Sequence, residues 1–284
     1  MAPYRRSVEG LLDQLVAAVS SSPKYRNVCP DFIRDIGARE LARRRSLKEA
    51  IKATKNKLHQ VGGAYLENQM DYTTWLQELR AARSDPAALR TTCAKIMAYH
   101  VSTRERLPIL DRFFTTTLAE IAPVRSVLDV ACGLNPLAIP WMPLAENAIY
   151  YACDIYQDMV DFLNEFLAII PIRGHAFACN VIQYGFVASG ELTWPVDVAF
   201  VLKAIPCLEQ VDKAAGLRLL DMLNADHILV SFPIHSLGGR DVGMAHTYAA
   251  RFEELTARKG WPIRRFDFTT ELAYLVTKRP PSSR

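Results

Sequence analysis

The sequence predicts an α/β fold in which a doubly wound, mostly parallel sheet follows a helical N-terminal region. Apolar residues recur at three- and four-residue steps through the first hundred residues, which is the spacing of amphipathic helices. From residue 126 onward, short apolar runs alternate with segments long enough for helices, as is typical of buried parallel strands. We therefore expect a helical, basic domain over residues 1–106, a sheet domain over 107–279 and a disordered tail over 280–284.

Two helices open the N-terminal region, and two more close it. The first follows Ser7 and ends at residues 20–23, where three serines precede a proline. The second begins at Pro30, because proline fits the first turn of a helix, where its missing N–H costs nothing. Residues 71–83 and 86–99 have helical apolar spacing and are separated by a Ser-Asp-Pro break.

Between these pairs lies a third helix with clear start and stop signals. Ser46 and Glu49 form a capping box at its start, and Gly62 and Gly63 end it. Basic residues at steps of three and four share one face and form a stripe: Lys48, Lys52, Lys55 and His59. Further cations lie in the same region: Lys57, Arg43, Arg44 and Arg45. The pattern fits either a solvated face or a contact with phosphate groups, and repulsion between like charges favours an anionic partner.

Charge is unevenly distributed along the chain. Residues 1–106 hold 19 Lys and Arg against 11 Asp and Glu, whereas residues 107–284 hold 15 against 19. The N-terminal part is therefore basic and the remainder mildly acidic. This division favours a polyanionic partner for the N-terminal part.

Composition excludes several other classes of protein. No apolar run approaches the roughly 18 residues of a membrane span, and the first residues contain no secretory signal core. The six cysteines form no Cys-x-x-Cys pair and show no zinc-ligand spacing, so we interpret them as reduced core residues and expect no metal. We expect a soluble, cytoplasmic protein.

Five apolar runs predict the parallel strands. In chain order they are VLDVA, IYYAC, HAFAC, VDVAFVL and HILVSF. After them come a helix around residues 244–259 and two strand-like runs, RRFDF and LAYLVTK, close enough to pair as an antiparallel hairpin. An almost parallel sheet closed by such a hairpin is typical of the Rossmann-like S-adenosylmethionine-dependent methyltransferase fold.

The residues that follow each strand are candidates for a ligand site, because ligands of doubly wound sheets lie beyond the carboxyl ends of the central strands. Gly133 follows the first strand, where the backbone must turn tightly, and Pro136 is placed to open a helix. Asp154 ends the second strand and can accept hydrogen bonds from ribose hydroxyls, Asn180 follows the third and can bond an adenine edge, and Lys203 follows the fourth. Only one glycine of a dinucleotide-type Gly-x-Gly-x-x-Gly motif is present, which favours a ligand without phosphates, such as S-adenosylmethionine.

Five segments resemble the family of aminoglycoside-resistance 16S rRNA (guanine(1405)-N(7))-methyltransferases. They are KATKNKLHQVGGAYL (52–66), HVSTRERLPILDRFF (100–114), DVACGLNPLAIPWM (129–142), FVLKAIPCLE (200–209) and SFPIHSLGGRDVGM (231–244), and they span most of the chain. The resemblance implies methyl transfer from S-adenosylmethionine to N7 of guanine 1405 in the 16S rRNA of the 30S ribosomal subunit. It also implies resistance to 4,6-disubstituted deoxystreptamine aminoglycosides such as kanamycin and gentamicin.

The resemblance further implies a set of cofactor-binding residues. They are Tyr65, His100, Arg104, Ala131, Gly133, Asp154, Ile155, Asn180, Val181 and Lys203. Arg104 is expected to pair with the methionine carboxylate, as arginine does in a bidentate manner. Relatives usually carry Asp where this chain has Asn180, so we expect weaker discrimination of the adenine rather than loss of binding. Alternatively, these three residues have no ligand-binding role. His100 would then be a helix-end residue whose hydrogen bonds are made within the protein, Arg104 would belong to a surface Arg-Glu-Arg cluster, and Lys203 would extend into solvent at the end of its strand.

The implied reaction needs no general base, because the guanine N7 lone pair is free at neutral pH. Catalysis would rest on positioning, with Lys203 as the one candidate catalytic residue. The N7 edge lies in the deep groove of A-form RNA, so the base must be distorted or flipped outward. Residues proposed to contact RNA are Lys48, Lys52, Lys55, Lys57 and His59, with Arg240, Met244 and Tyr248 near the flipped base.

Three alternatives remain open from the residues alone. A small-molecule methyltransferase could share the fold and use the N-terminal helices as a lid, although the basic stripe favours RNA. A non-catalytic RNA-binding protein could retain the fold without using the cofactor. A nicotinamide-dependent oxidoreductase is disfavoured by the missing glycines. We expect the protein to act as a monomer.

Overall fold

The computed structural model describes residues 2–63, 70–182, 195–234 and 244–279. Its N-terminal third is helical, as predicted. The helices are α1 (Ala2–Ser20), α2 (Pro30–Leu41), α3 (Leu47–Leu58), α4 (Tyr72–Ala82), α5 (Pro86–Met97), α6 (Val101–Arg106) and α7 (Leu110–Thr117). A π-helical turn over His59–Gly63 extends α3 to the glycine pair, and a 3-10 turn over Leu107–Ile109 joins α6 to α7. Predictions that involve Tyr65, Arg240 and the tail 280–284 lie outside the described residues.

The remaining elements form one seven-stranded sheet with helices between the strands. The strands are β1 (Val124–Val130), β2 (Leu144–Asp154), β3 (Arg173–Ala178), β4 (Val196–Leu202), β5 (Ala225–Pro233), β6 (Ile263–Asp267) and β7 (Glu271–Thr277). The helices are α8 (Gln157–Ile169), α9 (Ile205–Val211), α10 (Ala215–Met222) and α11 (Met244–Lys259). The strand order is β3-β2-β1-β4-β5-β7-β6, with β1 to β5 parallel and β7 antiparallel to both neighbours. The predicted fold class, including the closing hairpin, is confirmed.

The segment after β1 is helical, with Pro136 in its first turn as predicted, but the helix is of the 3-10 type. Residues Asn135–Trp141 form a 3-10 helix instead of an α-helix. Pro140 lies inside it, has no N–H to donate, and its ring would collide with the carbonyl four residues earlier in an α-helix.

The helical region and the sheet share backbone hydrogen bonds near the end of β2. Val28 pairs with Tyr156 as an isolated antiparallel bridge. The Cys29 N–H donates to the Ile155 carbonyl at 2.7 Å, and the Gln157 N–H donates to the Asn27 carbonyl at 2.7 Å. The connection between α1 and α2 is therefore fixed directly to the loop that follows β2.

Buried side chains from both regions form a continuous apolar core. The proposed domain boundary at 106/107 falls where α6 runs into the 3-10 turn, without an intervening linker. The two-domain division stays a prediction. None of the described helices is long and apolar enough to cross a membrane.

Candidate functional site

The carboxyl ends of β1 and β4, which are neighbours in the sheet, carry residues in the left-handed backbone region. Ala131 has φ 51° and Lys203 has φ 59°, and Gly133 has φ 52°. A non-glycine residue in this conformation costs on the order of 1–3 kcal/mol, and such residues concentrate at ligand sites. Their position agrees with the rule that doubly wound sheets bind ligands at this edge.

Asp154 is held in a fixed orientation at the end of β2. One carboxylate oxygen accepts from the Gly133 N–H at 2.9 Å, and the other accepts from the Ile155 N–H at 2.7 Å. Burial raises the pKa of this carboxyl, although the backbone N–H groups oppose the shift. Each oxygen keeps a lone pair, so the carboxylate can still accept hydrogen bonds from a diol.

A cleft opens beside these strand ends, and both regions of the chain line it. From the sheet come Ala131, Asp154, Ile155, Val181 and Lys203, and from the helices come Phe32, Val61, Gly62 and His100. Six of the ten predicted cofactor residues therefore line one cleft. Gly133 lies directly beneath His100, and Asn180 precedes Val181. Arg104 is exposed on α6, outside the lining of the cleft.

His100 narrows this cleft. A Cβ at Gly133 would lie 2.7 Å from the His100 Nε2, so the imidazole occupies the space that the glycine leaves. The other ring nitrogen is 3.0 Å from the Ser102 hydroxyl. Burial first, and then three nearby cations, lower the pKa of His100 to about 4, so the ring is neutral at pH 7.

The remaining cavity is about 80 Å³, whereas small-molecule sites usually measure about 300–1,000 Å³. The His100 ring beside Gly133 is one of the side chains that limit this volume.

Phe32, Val61 and Gly62 form an apolar wall that was not predicted from the sequence. A Cβ at Gly62 would lie 2.8 Å from the Tyr156 hydroxyl and 3.1 Å from the Ile155 Cδ1. Glycine at this position thus lets the end of α3 close onto the loop after β2. In the sequence the glycine pair predicts the end of a helix, and the absence of a side chain at Gly62 is what permits this close contact.

Below the cleft lies a buried network of charges that sequence analysis also missed. Glu271, at the start of β7, accepts from the Arg106 Nε at 3.0 Å and Nη2 at 2.6 Å. The Lys203 Nζ lies 3.3 Å from the same carboxylate and donates to Glu105 at 2.9 Å and to the Ser102 carbonyl at 3.2 Å. Lys203 therefore lines the cleft with its ammonium group already engaged by two carboxylates. In the sequence, an indication of this network is the glutamate that begins the otherwise apolar strand ELAYLVT.

The network continues to the end of β1. The Arg106 Nη1 donates to the Asn135 side-chain oxygen at 2.8 Å, and the Asn135 amide donates to Asp129 at 2.8 Å. The Tyr150 hydroxyl donates to the same Asp129 oxygen at 2.7 Å. Burial raises the pKa of Asp129 to about 6. These bonds connect the helical region to β1, β2 and β7 beneath the cleft.

The predicted basic stripe on α3 is only partly exposed. Lys48, Lys52 and His59 are exposed, and the His59 Nδ1 lies 3.1 Å from the Lys24 Nζ. Lys55 is half-buried and donates to the Ser22 hydroxyl, which lies two residues beyond the end of α1. The half-buried Lys57 donates to the Gln210 carbonyl of α9 at 3.2 Å. The outward part of the stripe is therefore narrower than its spacing predicts.

Lys52 and Lys57 also line a cleft of about 520 Å³ between α2, α3 and α9. Three arginines share it: Arg39, Arg43 and Arg44. Acidic partners neutralise part of this charge, since Arg39 pairs with Asp35 and Asp212, and Arg44 pairs with Glu40. The cleft presents a net positive surface on the helical region.

Tyr248 lies on α11, apart from the cofactor cleft. Its ring stacks on Phe232 with centroids 5.3 Å apart and planes at 10°. It lines a separate apolar cavity of about 220 Å³ between α9, α10 and α11. Of Met244, the structure describes the backbone at the start of α11.

The residues in and around the cleft are chemically suited to bind S-adenosylmethionine. A buried carboxylate can bind a ribose, apolar walls can hold an adenine, and the buried Asn180 amide keeps an unpartnered nitrogen among the described residues. No group of metal-ligating side chains occurs among the same residues. A seven-stranded sheet with this strand order, parallel except for β7, and with this arrangement of strand ends defines an S-adenosylmethionine-dependent methyltransferase.

Comparison with known proteins identifies the family. A family described as ribosomal RNA methyltransferase (FmrO) matches residues 21–275. The chain is 36% identical over 276 residues to the 16S rRNA (guanine(1405)-N(7))-methyltransferase of Frankia casuarinae, covering 96% of this chain and 95% of the relative. It is 34% identical over 271 residues to the enzyme of the same name from Micromonospora rosea, covering 94% and 97%.

Solved structures agree with this assignment. The 16S rRNA methyltransferase RmtF in complex with S-adenosyl-L-homocysteine aligns with a TM-score of 0.74 at 33% identity, covering 95% of this chain and 97% of that one. The 16S rRNA methylase RmtB aligns with a TM-score of 0.74 at 30% identity, covering 94% and 98%. The chain belongs to the FmrO family of ribosomal RNA methyltransferases.

Proposed function

We propose that this chain transfers a methyl group from S-adenosylmethionine to N7 of guanine 1405 in the 16S rRNA of the 30S subunit. The modification would confer resistance to 4,6-disubstituted deoxystreptamine aminoglycosides such as kanamycin and gentamicin. The observation that carries the proposal is the cleft at the strand ends, which is lined jointly by the sheet and by the basic helical region. Relatives that bear this activity in their names match nearly the whole chain.

In this proposal the chain's own residues position the reactants. The cofactor supplies an electrophilic methyl group on a sulfonium. Asp154 would bind the ribose hydroxyls, because its carboxylate is already oriented by two backbone N–H groups. Arg104 would pair with the methionine carboxylate. His100, neutral at pH 7, would move from Gly133 and lie against the methionine part.

No side chain has to remove a proton, since N7 attacks with its own lone pair. Lys203 fits this chemistry as a positioning residue, because its ammonium group is held by Glu105 and Glu271. Positioning of two reactants contributes up to ~7–11 kcal/mol in favourable cases. The product gains a positive charge at N7 and loses a hydrogen-bond acceptor, both of which oppose binding of a polycationic drug.

The exposed lysines of α3 support an RNA-binding role for the helical region. Lys48 and Lys52 can contact backbone phosphates, and Lys52 borders the basic cleft. Lys55, Lys57 and His59 would contribute to the local potential. Arg240, Met244 and Tyr248 are proposed to lie near the target base. We further propose that the protein acts as a monomer in the cytoplasm.

Methylation of purified 30S subunits tests the proposal. Subunits are incubated with the protein and methyl-labelled S-adenosylmethionine, and the modified base is mapped by primer extension after chemical cleavage at N7-methylguanine. We expect label in 16S rRNA and a single cleavage at guanine 1405, with Asp154→Ala as the matched inactive control. Label at another nucleotide, or none with a folded protein that binds cofactor, would contradict it. Methylation of small molecules alone would favour a small-molecule methyltransferase.

A further inference from the structure

Among the described residues, two charged side chains line the cofactor cleft, and they have opposite signs. They are Asp154 and Lys203, and both are buried. His100, which shares the lining, adds no charge at neutral pH, because burial and nearby cations lower its pKa to about 4. Charges act strongly where water is scarce, so the partners of Asp154 and Lys203 set the net charge that a ligand meets.

The positive charge of Lys203 is balanced by two carboxylates. Its Nζ lies 2.9 Å from Glu105 on α6 and 3.3 Å from Glu271 on β7. Glu271 also pairs with Arg106 at 2.6 Å, so one buried carboxylate serves two buried cations. The cluster of two cations is therefore neutral only because Glu105 supplies the second negative charge.

The negative charge of Asp154 is oriented but not cancelled by the groups that hold it. Its oxygens accept from the backbone N–H groups of Gly133 and Ile155, which carry only partial positive charges. Counted over these described residues, Asp154 and the neutral cluster leave the cleft with one net negative charge. Such a cleft favours a ligand that carries a positive charge.

The two forms of the cofactor differ in this property. S-adenosylmethionine carries a positive sulfonium, whereas S-adenosylhomocysteine, which remains after methyl transfer, has a neutral thioether at the same position. Their adenosine and amino-acid parts are identical, so contacts with those parts contribute equally to both affinities. The ratio of the two affinities therefore reports the charge that the cleft presents to the sulfur.

We propose that Glu105 is a specificity-determining residue: by neutralising Lys203, it makes the cleft favour the sulfonium of S-adenosylmethionine over the thioether of S-adenosylhomocysteine. The inference rests on the proposed cofactor site and deepens it. Glu105 acts through Lys203 and not by touching the ligand. Because the preference is lost with the methyl group, the same charge balance favours exchange of the spent cofactor for a new one.

Titration calorimetry on the full chain at neutral pH tests this proposal with three ligands. They are S-adenosylmethionine, S-adenosylhomocysteine and sinefungin, in which an aminated carbon replaces the methylated sulfur and restores a positive charge. The variant Glu105→Gln keeps the shape and an oxygen that accepts from Lys203 but removes the negative charge. We expect the affinities for both cationic ligands to fall about fivefold relative to S-adenosylhomocysteine. The change is modest because Glu105 is 32% exposed, and solvent screens part of its charge.

Glu78→Gln is the matched control. Glu78 pairs with Lys95 at 2.7 Å and is 33% exposed, close to the value for Glu105, but this pair joins α4 to α5 outside the lining of the cleft. The control should leave the ratio of affinities within about twofold of the unaltered chain. Glu105→Asp, which retains the charge, should preserve the preference for the cationic ligands.

Lys203→Met gives a second test, which decides if Glu105→Gln does not fold. Removing the cation leaves Glu105 unbalanced, so the ratio should shift toward the cationic ligands.

Two results would overturn the inference. Equal weakening of all three ligands in Glu105→Gln would show that Glu105 only supports the structure of the cleft. An unchanged ratio in that variant, or in Lys203→Met, would show that the charge of this pair does not reach the ligand. In each case the unaltered chain still binds the cofactor, whereas failure of the proposed function would appear as loss of that binding or of 30S methylation.

Discussion

Replacing Glu271 by glutamine would remove one negative charge from beneath the cofactor cleft with little change in shape. The Glu271 side chain is 0% exposed, and its partners Arg106 and Lys203 are 1% and 4% exposed. Two cations would then face a neutral amide in a site with almost no access to water. Removing one partner of a buried ion pair typically costs about 3–5 kcal/mol. We expect Glu271→Gln to lower the free energy of unfolding by about that amount.

Denaturant unfolding would measure this loss, provided that the slope with denaturant concentration is unchanged. The matched control is Glu254→Gln, because Glu254 pairs with Arg258 on the surface with side chains 64% and 77% exposed. Surface pairs contribute about 0–1 kcal/mol, so the control should change stability little. A Glu271→Gln loss no larger than that of the control would refute the argument that the buried network stabilises the fold.

The pH dependence of this difference gives a second check. Burial raises the pKa of Glu271, but the charges of Arg106 and Lys203 outweigh it and hold the pKa below its ordinary value of 4.5. A carboxyl with a depressed pKa in the folded state stabilises the protein above its unfolded pKa and loses that contribution as the pH falls. The stability difference between the unaltered chain and Glu271→Gln should therefore shrink as pH falls below about 4.5.

Three further outcomes are expected. Asp154→Ala should weaken S-adenosylhomocysteine binding by at least about tenfold in calorimetry, because a buried hydrogen-bonding group is lost; unchanged affinity would contradict the assigned ribose site. Lys48→Glu with Lys52→Glu should weaken binding to 30S subunits and reduce the salt slope by about one unit per lysine, while cofactor affinity stays constant. If subunit binding is unaltered, these lysines form only a solvated face. Gly62→Ala should weaken cofactor binding, since its Cβ would lie 2.8 Å from a tyrosine hydroxyl after β2, whereas Gly10→Ala, with open space around it, should not; equal affinities would argue against the apolar wall.

Sequence analysis could identify the strands and the residues that end them. Buried parallel strands are nearly continuous apolar runs, and ligand sites of such sheets lie at strand ends, so Asp154 and Lys203 were predictable from position alone. The 3-10 helix after β1 was also predictable in principle. Pro136 favours the start of a helix, whereas Pro140, four residues later, opposes its continuation as an α-helix.

Local sequence patterns cannot predict contacts between residues that are far apart in the chain. Arg106 and Glu271 are 165 residues apart, so neither periodicity nor spacing connects them. The stripe on α3 was overestimated for the same reason. Spacing places Lys55 and Lys57 on the helix, but their exposure is set by Ser22 and Gln210, which belong to other elements.

The separation between Arg106 and Glu271 also affects how the protein is made. At about 5–20 residues per second, the ribosome needs roughly 8–33 s to synthesise the intervening segment. Until then Arg106 lacks its carboxylate partner, and β5 lacks the strand that covers its outer edge. The buried charge network beneath the cleft is therefore completed only after β7 has left the ribosomal exit tunnel. A chain that terminates before β7 cannot form this network.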